Sequence, residues 1–304
     1  MHKLIGDIKW GTRQRLQYIE VMAYYTGVVT RSDVARAFGI SDAAATKDLK
    51  LYGQLSGDNL HYRHNVFGFV PSEDFQPLFA DLTPARVLSM LAANLAAASG
   101  PYGNQPIFGI PVDSLPLPQR LPGHRVLAQT LRAIKQRNKL QVSYHSLSER
   151  DSRQQRVIEP HALVNTGTRW HLRAYNEESY DFRDFVLSRL ADAEMLDEPA
   201  ESSAQYDEDW TETITLQLAP HPGLGARQRA SLLLDYQSQD GQIEIPVRRA
   251  LIGYLLQRLS VDTTADHSMN PSAHQLILQN RDEIEAFAGW AFHSRQDDDN
   301  RQER

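Results

Sequence analysis

The chain has 304 residues, 41% of them hydrophobic and 23% charged, which is the composition of a globular protein with room for two or three domains. It contains no cysteine, and this excludes disulfide bonds, thiolate nucleophiles and cysteine-based zinc sites. Because no stretch is long and apolar enough to span a membrane and the first residues do not resemble a signal peptide, we expect a cytoplasmic protein with no membrane partner.

The net charge of −6 is unevenly distributed along the chain. Residues 1–70 carry nine basic and six acidic residues, a net charge of +3, and residues 124–190 carry twelve and seven, a net charge of +5. Residues 191–304 carry nine basic and twenty-one acidic residues, a net charge of −12. Two positively charged segments suit a partner of nucleic acid, although solvated surfaces would give the same counts.

Residues 12–56 predict three short helices in succession. In the first, apolar side chains recur at helical spacing, and Arg15 and Glu20 lie on the polar side. In the third, Leu49 and Tyr52 face the core. The boundaries are set by residues that stop or cap helices: Gly27, Thr30 or Ser32, Gly39 and Ser41.

The second and third helices are separated only by the sequence FGIS, which is the spacing of a helix-turn-helix, and a hairpin typical of a wing follows at residues 60–70. In this motif the last helix enters the major groove of DNA, where small side chains meet base edges and lysines meet phosphates or guanine. The polar tip of the hairpin can meet a backbone or a minor groove. The predicted DNA-binding residues are Ser41, Ala43, Thr46, Lys47 and Lys50 on the third helix and Arg63 and His64 on the wing.

The rest of the chain predicts two further folded segments. A helix over residues 83–98 is followed by a connector that is rich in proline and glycine and ends near residue 123. A helix at 124–138 and four closely spaced strand-like runs then favour a small barrel or a strongly bent sheet. From about residue 211, strands and helices alternate in an α+β pattern, and the last ten residues have no apolar content.

Residues 169–190 read RWHLRAYNEESYDFRDFVLSRL, two strand-like runs with four arginines among aromatic residues. Strand alternation places Trp170 and Leu172 in the core and Arg169, His171 and Arg173 on the outward face. Guanidinium groups bind phosphate bidentately and aromatic rings stack on bases, so a nucleotide or oligonucleotide is the expected ligand class. The candidate ligand-binding residues are Tyr144, Ser146, His171, Arg173, Arg183 and Arg189.

Two other interpretations of these residues stay open. His145, His161 and His171 can suggest a metal site, but their spacing matches no metal-binding motif, so no metal and no cofactor are expected. The arginines can instead form surface ion pairs with acidic residues of the same hairpin, namely Glu177, Glu178, Asp181 and Asp184.

The middle segment resembles a WYL domain. Trp170-His171-Leu172 corresponds to the triplet that names the family, with histidine in place of the tyrosine, and FRDFVLSRL, VSYHSLS and IEPHALV resemble its other strands. With the winged helix before it and the α+β segment after it, the chain resembles the WYL regulators that lie upstream of bacterial phage-defence operons of the BREX and CBASS types. The resemblance implies a homodimeric DNA-binding repressor whose WYL barrel senses a nucleotide or nucleic-acid fragment.

The expected fold class is α+β and multidomain. We expect a winged helix-turn-helix domain at 1–80, a helical linker at 81–123, a WYL ligand-sensing domain with an Sm-like or SH3-like β-barrel at 124–198, an α+β dimerisation domain at 205–294 and a disordered tail at 295–304.

The expected function is regulation of transcription by a homodimer bound to a pseudo-palindromic operator in double-stranded DNA. An activator that responds to DNA damage would have the same architecture. A phosphoesterase that uses the histidines is the enzymatic alternative, and we disfavour it because the chain has no G-x-S-x-G, no H-E-x-x-H and no phosphate-binding glycine loop. No catalytic residues are therefore assigned.

Overall fold

The computed structural model describes residues 8–98, 108–147, 155–238 and 240–293, with the backbone alone for 94–98. The chain divides after Pro116 into two compact units. The tail predicted to be disordered, residues 295–304, lies outside the described residues. Within the described part of the chain, no helix is both long and apolar enough to cross a membrane.

The first unit consists of helices and a two-stranded hairpin. The two strands pair antiparallel, with Leu60 opposite Pro71 and Arg63 opposite Gly68, so the predicted wing hairpin is confirmed. In chain order, the elements are α1 (Trp10–Thr26), α2 (Arg31–Phe38), α3 (Asp42–Ser56), β1 (Leu60–Arg63), β2 (Gly68–Pro71) and α4 (Pro84–Ala98).

The first three helices end and begin where the sequence predicts. Gly27 and Gly39 follow α1 and α2 in the left-handed conformation, with φ of 79° and 61°, which glycine adopts without steric cost. Thr30 starts α2 with a capping box, because its hydroxyl accepts from the Asp33 N–H and its own N–H donates to the Asp33 carboxylate at 2.9 Å. Ser41 caps α3 by accepting a backbone N–H. Short-range interactions thus fix the turn between α2 and α3.

One core unites the helices of the first unit. Leu16 and Ile19 of α1 and Tyr52 of α3 are fully buried and form one cluster. Val87 of α4, only 5% exposed, joins the same cluster. The helix that the sequence assigns to a linker therefore packs against the winged-helix core.

Glu20 departs from the sequence pattern of α1. The pattern places Glu20 on the polar side, and this prediction is wrong because the residue is fully buried. Its carboxylate accepts hydrogen bonds from the backbone N–H groups of Leu78, Phe79 and Ala80, at 2.7 to 2.8 Å. A buried acceptor without partners costs about 1–3 kcal/mol, so these three bonds make the burial possible and attach the segment after the wing to α1.

The second unit begins with a helix and a five-stranded antiparallel sheet, in the strand order β6-β5-β4-β3-β7. Leu140, Ile158 and Leu172 are fully buried in its core, and Val126 of the helix packs on the same cluster. The elements are α5 (His124–Gln136), β3 (Asn138–Tyr144), β4 (Gln155–Asn165), β5 (Trp170–Asn176), β6 (Asp181–Val186) and β7 (Leu190–Pro199).

The predicted Sm-like or SH3-like barrel is not closed. The edge strands β6 and β7 follow one another through a single 3-10 turn at Leu187–Arg189, and among the described residues no ladder pairs them. The register shifts between Pro160 and Ala162 and between Ser143 and Tyr144. Bulges of this kind bend a strand, so they favour the bent sheet that the sequence leaves as the alternative.

The rest of the second unit has the predicted α+β character. Its three strands form an antiparallel sheet in the order β10-β8-β9, and Leu216, Leu218, Ile252 and Ile284 are buried in its core. The elements are α6 (Glu208–Thr211), β8 (Thr213–Pro220), α7 (Ala226–Asp235), β9 (Ile243–Arg248), α8 (Ile252–Arg258), β10 (Leu276–Leu278) and α9 (Arg281–Ala288).

Candidate functional site

The outer face of α3 presents small and basic side chains. Ala43, Thr46, Lys47 and Lys50 are all exposed. The Thr46 hydroxyl donates to the Asp42 carbonyl at 2.8 Å, which leaves its methyl group and its oxygen lone pairs to meet a base. The two lysines add positive charge for phosphates or guanine. This face therefore has the chemistry of a DNA recognition helix.

Two contacts hold α3 in position. Ser41 caps its first turn, and the serine hydroxyl can still donate its own hydrogen to a phosphate at this helix N-terminus. On the inner face, Arg15 of α1 donates to both carboxylate oxygens of Asp48, at 2.6 and 3.2 Å. Asp48 is only 6% exposed, so this bidentate ion pair is shielded from water. The pair fixes the rotation of α3 about its axis and keeps its small and basic face outward.

The wing borders the same surface as α3. Arg63 and His64 are exposed at its tip, and the His64 ring contacts Tyr62 edge-on, with centroids 5.1 Å apart. A cleft of about 550 Å³ lies between α3 and the wing and is lined by Thr46 and Lys50 as well as by Tyr62. The structure thus brings the predicted recognition helix and the predicted wing tip to one continuous surface.

A second concentration of positive charge lies in the second unit, around His171. The Nε of Arg169 donates to His171 Nε2 at 3.0 Å. Burial, followed by the charges of Arg169, Arg120 and Arg189, lowers the pKa of His171 to about 4. Burial and the charges of Arg120 and Arg189 also lower the pKa of Arg169. We call Arg120, Arg169 and Arg189 the arginine cluster.

Tyr144 and Ser146, predicted from the sequence as ligand residues, lie near this cluster. The Tyr144 ring packs edge-on against Phe185 at 5.2 Å, and its hydroxyl accepts a backbone N–H of β6 at 3.2 Å. Tyr144 is also close enough to Arg169 to influence the pKa of that arginine. The backbone N–H of His145, the residue before Ser146, donates to the Arg189 carbonyl at 3.0 Å.

Arg173 occupies a different environment, a buried ion-pair network. Its Nε and Nη2 donate to the two carboxylate oxygens of Asp207 at 2.7 and 2.8 Å, and its Nη1 lies 3.5 Å from Asp184. His161 Nε2 lies 3.0 Å from the same Asp207 carboxylate. Burial alone would raise the pKa of Asp207, but the hydrogen bonds from Arg173 and His161 lower it to about 2. We call these residues the Arg173 network.

The prediction that His171 and Arg173 face outward is wrong. The two residues are 2% and 5% exposed. Strand alternation places them on the face opposite Leu172, as predicted, but residues after the sheet cover that face: Asp207 binds Arg173, and Tyr254 of α8 packs on His171 with ring centroids 4.6 Å apart. The guanidinium of Arg173 is occupied by carboxylates.

Arg183 stands apart from the arginine cluster. It is exposed and forms an ion pair with Asp181 at 2.9 Å, which is the surface pairing that the sequence left as an alternative. Its charge is not among those that shift the pKa of His171. In the ranges that the structure describes, no three histidine or acidic side chains lie close enough together to hold a metal ion.

A chain of contacts connects the arginine cluster with the Arg173 network. Because His171 Nε2 accepts from Arg169, we place the imidazole proton on Nδ1, which lies 3.4 Å from the Tyr254 hydroxyl oxygen. The Tyr254 hydroxyl donates to Asp184 at 3.0 Å, and Asp184 faces Arg173. Burial and the charge of Asp184 raise the pKa of Tyr254. Tyr254 thus joins the sheet of the WYL segment to helix α8, and we call it the Tyr254 bridge.

Comparison with known proteins assigns all three parts of the chain. Residues 11–93 match the BrxR transcriptional regulator winged helix-turn-helix domain, residues 125–195 match the WYL domain, and residues 213–284 match the BrxR transcriptional regulator C-terminal dimerization domain. The chain belongs to this family of WYL-domain transcriptional regulators. The matched domains coincide with the winged helix, the bent sheet and the α+β segment described above.

Three curated relatives of this regulator carry the name DNA-binding transcriptional repressor CapW. The protein from Stenotrophomonas maltophilia is 33% identical over 286 residues, which cover 93% of this chain and 94% of that protein. The protein from Escherichia coli (strain KTE188) is 34% identical over 279 residues, covering 92% of both chains. The protein from Pseudomonas aeruginosa is 33% identical over 277 residues, covering 91% of both.

A match to a solved structure is more distant. The proteasome accessory factor B/C (PafBC) of Arthrobacter aurescens matches at 17% identity and a TM-score of 0.25, over 92% of this chain and 48% of that chain. The chain of this regulator therefore spans about half the length of PafBC.

Some residues around His171 have a sequence signal and others have none. The sequence places Arg169 on the same strand face as His171 and Arg173, although it is not among the candidate ligand-binding residues. Arg120 lies in the proline-rich connector, where no local pattern marks a role. Asp207 and Tyr254 reach their partners across 34 and 70 residues of sequence, a separation over which no periodicity operates.

Proposed function

We propose that this protein is a homodimeric DNA-binding transcriptional repressor whose binding to an operator is controlled by an anionic nucleotide or oligonucleotide. The observation that carries the proposal is the match of the first and last parts of the chain to domains of the BrxR transcriptional regulator, with a WYL domain between them. The protein is a regulator and not an enzyme, it acts in the cytoplasm, and the genes that it controls form a phage-defence operon, as the family resemblance implies.

The exposed face of α3 supports direct reading of DNA. Lys47 and Lys50 can neutralise phosphates, and Ala43 and Thr46 let the helix approach base edges in the major groove. The wing residues Arg63 and His64 meet the adjoining backbone. A dimer formed through residues 213–284 presents two α3 helices to the two half-sites of a pseudo-palindromic operator.

A gel-shift titration on the DNA just upstream of its own gene tests this function. Wild type is expected to bind that fragment in preference to random DNA of equal length, and binding is expected to weaken as salt rises. Lys47→Ala is expected to lower both the affinity and the salt slope, the slope by about 1. Lys135→Ala, an exposed lysine of α5, is the matched control and should bind like wild type. Absence of any preference by wild type, with and without candidate anions, would contradict the proposal.

A reporter assay tests the sign of regulation and its target. Deleting the gene is expected to raise expression from the promoter that the protein binds, and returning the wild-type gene is expected to lower it. A fall in expression on deletion would identify an activator. The genes downstream of the bound promoter should include a defence system that restricts phage growth in a plaque assay.

The arginine cluster supports the effector site. Three guanidinium groups lie close enough to His171 to influence its pKa, and none of them forms an ion pair with another described residue. Burial, followed by the charges of these arginines, lowers the pKa of His171 to about 4. A phosphate would neutralise their positive charge through bidentate hydrogen bonds, and Tyr144 lies beside Arg169. The site therefore suits a nucleotide or a short oligonucleotide.

Fluorescence anisotropy with labelled single-stranded oligonucleotides and cyclic dinucleotides tests the effector site. Arg189→Gln is expected to weaken binding of at least one probe about tenfold or more, because it removes a charge-assisted contact worth about 1.5–3 kcal/mol. Arg183→Gln is the matched control, since Arg183 is exposed and paired with Asp181. Equal binding by wild type, Arg189→Gln and Arg183→Gln would exclude the arginine cluster as the site.

The Tyr254 bridge gives a bound anion a route to the dimerisation domain. An anion at the arginine cluster competes with His171 for Arg169, and His171 contacts Tyr254 on α8. Any change in that contact alters how α8 packs on the sheet. We propose that this is how the effector changes the spacing of the two DNA-binding domains.

A further inference from the structure

The tip of the wing carries an aromatic side chain that the proposed function does not yet use. Phe67 lies between the 3-10 turn His64–Val66 and β2, and it is 78% exposed, whereas Phe69 two residues later is part-buried in the core. Leaving a phenylalanine in water forgoes the free energy of its burial. The packing of the winged helix therefore gives no reason for an aromatic residue at this position.

The backbone at Phe67 is also unfavourable for this type of residue. Its φ is 49° and its ψ is 34°, in the left-handed region that glycine and asparagine adopt readily and bulky side chains rarely. The N–H of Phe67 closes the turn by donating to the His64 carbonyl at 3.3 Å, a bond that any residue other than proline can make. Strain that folding does not require is a sign of function.

Backbone hydrogen bonds and a close approach attach the base of the wing to the segment before α2. Val29 and Phe69 exchange two backbone hydrogen bonds of 2.9 Å, which attach β2 to the segment before α2. A Cβ at Gly68 would lie 2.6 Å from the Val28 side chain, so only glycine permits this close approach. The wing tip is thereby held to the helix-turn-helix and not left on a loose loop.

The surroundings of Phe67 favour nucleic acid as its partner. Phe67 lines the cleft between α3 and the wing together with Lys50 and Arg31, and Arg63 and His64 are exposed beside it. An apolar ring among exposed cations matches a groove of DNA, where phosphates carry the charge and the sugars and base edges between them are less polar. A protein surface covering the ring would have to bury the same cations.

We propose that Phe67 is a DNA-contacting residue that packs into the minor groove of the operator, against deoxyribose rings and a partly opened base step beside the site of α3. The inference rests on the proposed DNA-binding function and adds to it a contact that does not depend on salt. Pyrimidine–purine steps are favoured at this position, because they are kinked and unstacked at the lowest cost.

The first test compares Phe67→Gly with Lys50→Ala in the full-length protein, by fluorescence anisotropy on the upstream DNA at several salt concentrations. Phe67→Gly is expected to weaken binding about tenfold, within the range known for aromatic contacts to bases, and to leave the salt slope unchanged. Lys50→Ala is expected to reduce the slope by about 1. The melting temperature of Phe67→Gly should equal or exceed that of wild type, since glycine removes the strain at positive φ.

A second variant and a footprint locate the contact. Phe67→Asn, which also tolerates the left-handed conformation, should lose the same affinity. Hydroxyl radicals attack deoxyribose from the minor groove, so wild type should protect a patch of sugars next to the region covered by α3. In Phe67→Gly this patch should become accessible while the rest of the footprint persists.

The outcomes separate the inference from the proposed function. If wild type and Phe67→Gly bind the upstream DNA equally, the inference is overturned and the repressor proposal stands. If wild type shows no specific binding, the proposed function is overturned and the inference falls with it. If Phe67→Gly changes the oligomeric state in sedimentation and leaves the footprint intact, a second copy of the chain covers the ring, and the inference is again overturned.

Discussion

Two charged groups in the second unit, the Arg173 network and the arginine cluster, have opposite surroundings, although Arg169 and Arg173 are only four residues apart in sequence. Arg173 in β5 is buried and bound by the carboxylates of Asp207 and Asp184. Arg169, just before β5, lies with two further arginines and no carboxylate partner among the described residues. The Arg173 network pairs its positive charge with carboxylates of the protein, whereas the arginine cluster has no such partner among the described residues, and we propose that a ligand neutralises it. Whether an arginine of this motif is available to a ligand therefore depends on the carboxylates that reach it, and not on the number of arginines in the motif.

The largest expected effect on stability comes from breaking the Arg173 network. Asp207→Asn leaves Arg173 buried without its bidentate partner, and we expect the free energy of unfolding of the second unit to fall by about 3–5 kcal/mol. Urea denaturation followed by tryptophan fluorescence measures this loss. The control is Asp181→Asn, whose exposed pair with Arg183 should contribute less than about 1 kcal/mol. The emission reports mainly on the second unit through Trp170, Trp210 and Trp290.

Equal losses of unfolding free energy in Asp207→Asn and Asp181→Asn would contradict this prediction. The buried ion pair of Arg173 and Asp207 would then contribute no more to stability than the exposed pair of Arg183 and Asp181.

The next effect is a loss of stability at acidic pH, which follows from the low pKa of His171 beside the arginine cluster. The pKa of His171 is about 4 in the folded protein and about 6.5 in an unfolded chain. As pH falls through this window, the unfolded chain binds a proton that the folded protein does not. The contribution of His171 to the free energy of unfolding is therefore fully present above about pH 6.5, and the free energy of unfolding is lower by about 3 kcal/mol at about pH 4. Urea denaturation at several pH values should show this decrease in wild type.

Two controls isolate His171 in that experiment. His171→Gln should flatten the profile over this window, and His145→Gln, at an exposed position, should not. The contribution of Asp207 falls in a separate window, because its folded pKa of about 2 makes its stabilisation complete above about pH 4 and lost as the pH falls towards 2. An unchanged slope in His171→Gln would show that the folded protein does not lower the pKa of His171.

A smaller effect is expected from breaking the Tyr254 bridge between the arginine cluster and the Arg173 network. Tyr254→Phe removes the hydroxyl that joins His171 to Asp184, and we expect a loss of about 1–2 kcal/mol in unfolding free energy. The anion should still bind, because the arginine cluster is intact, but its effect on DNA affinity should shrink. The matched control is Tyr180→Phe, at a position that is 80% exposed. If the anion alters DNA binding equally in wild type and Tyr254→Phe, the bridge does not carry the signal.

The smallest effect on stability is expected within the arginine cluster itself. Arg189→Gln removes one of several like charges near His171, so the unfolding free energy should stay within about 0.5 kcal/mol of wild type. The same variant should raise the pKa of His171, which an NMR titration of the imidazole measures. A large destabilisation would mean that Arg189 has a structural partner, and the contrast between binding and structural arginines would not hold.

Much of the first unit could be predicted from the sequence because its boundaries depend on neighbouring residues. Thr30, Gly39 and Ser41 end or begin helices through bonds to residues no more than four positions away. The outward positions of Ala43 and Lys47 follow from helical periodicity, and their exposure is confirmed. Their contact with DNA stays a prediction. The order of winged helix, WYL segment and α+β segment also followed from the sequence.

The sequence by itself determined which side chains share a face of each helix or strand, because that depends only on a repeat of 3.6 or 2 residues. Tertiary structure alone decided which of those faces is covered. Glu20 is buried because backbone N–H groups of the segment after the wing meet its carboxylate. Arg173 is buried because Asp207 reaches it across 34 residues, and His171 because Tyr254 of α8 packs on it. A polar residue is buried when distant partners satisfy it, and the identity of such partners is not written in its neighbours.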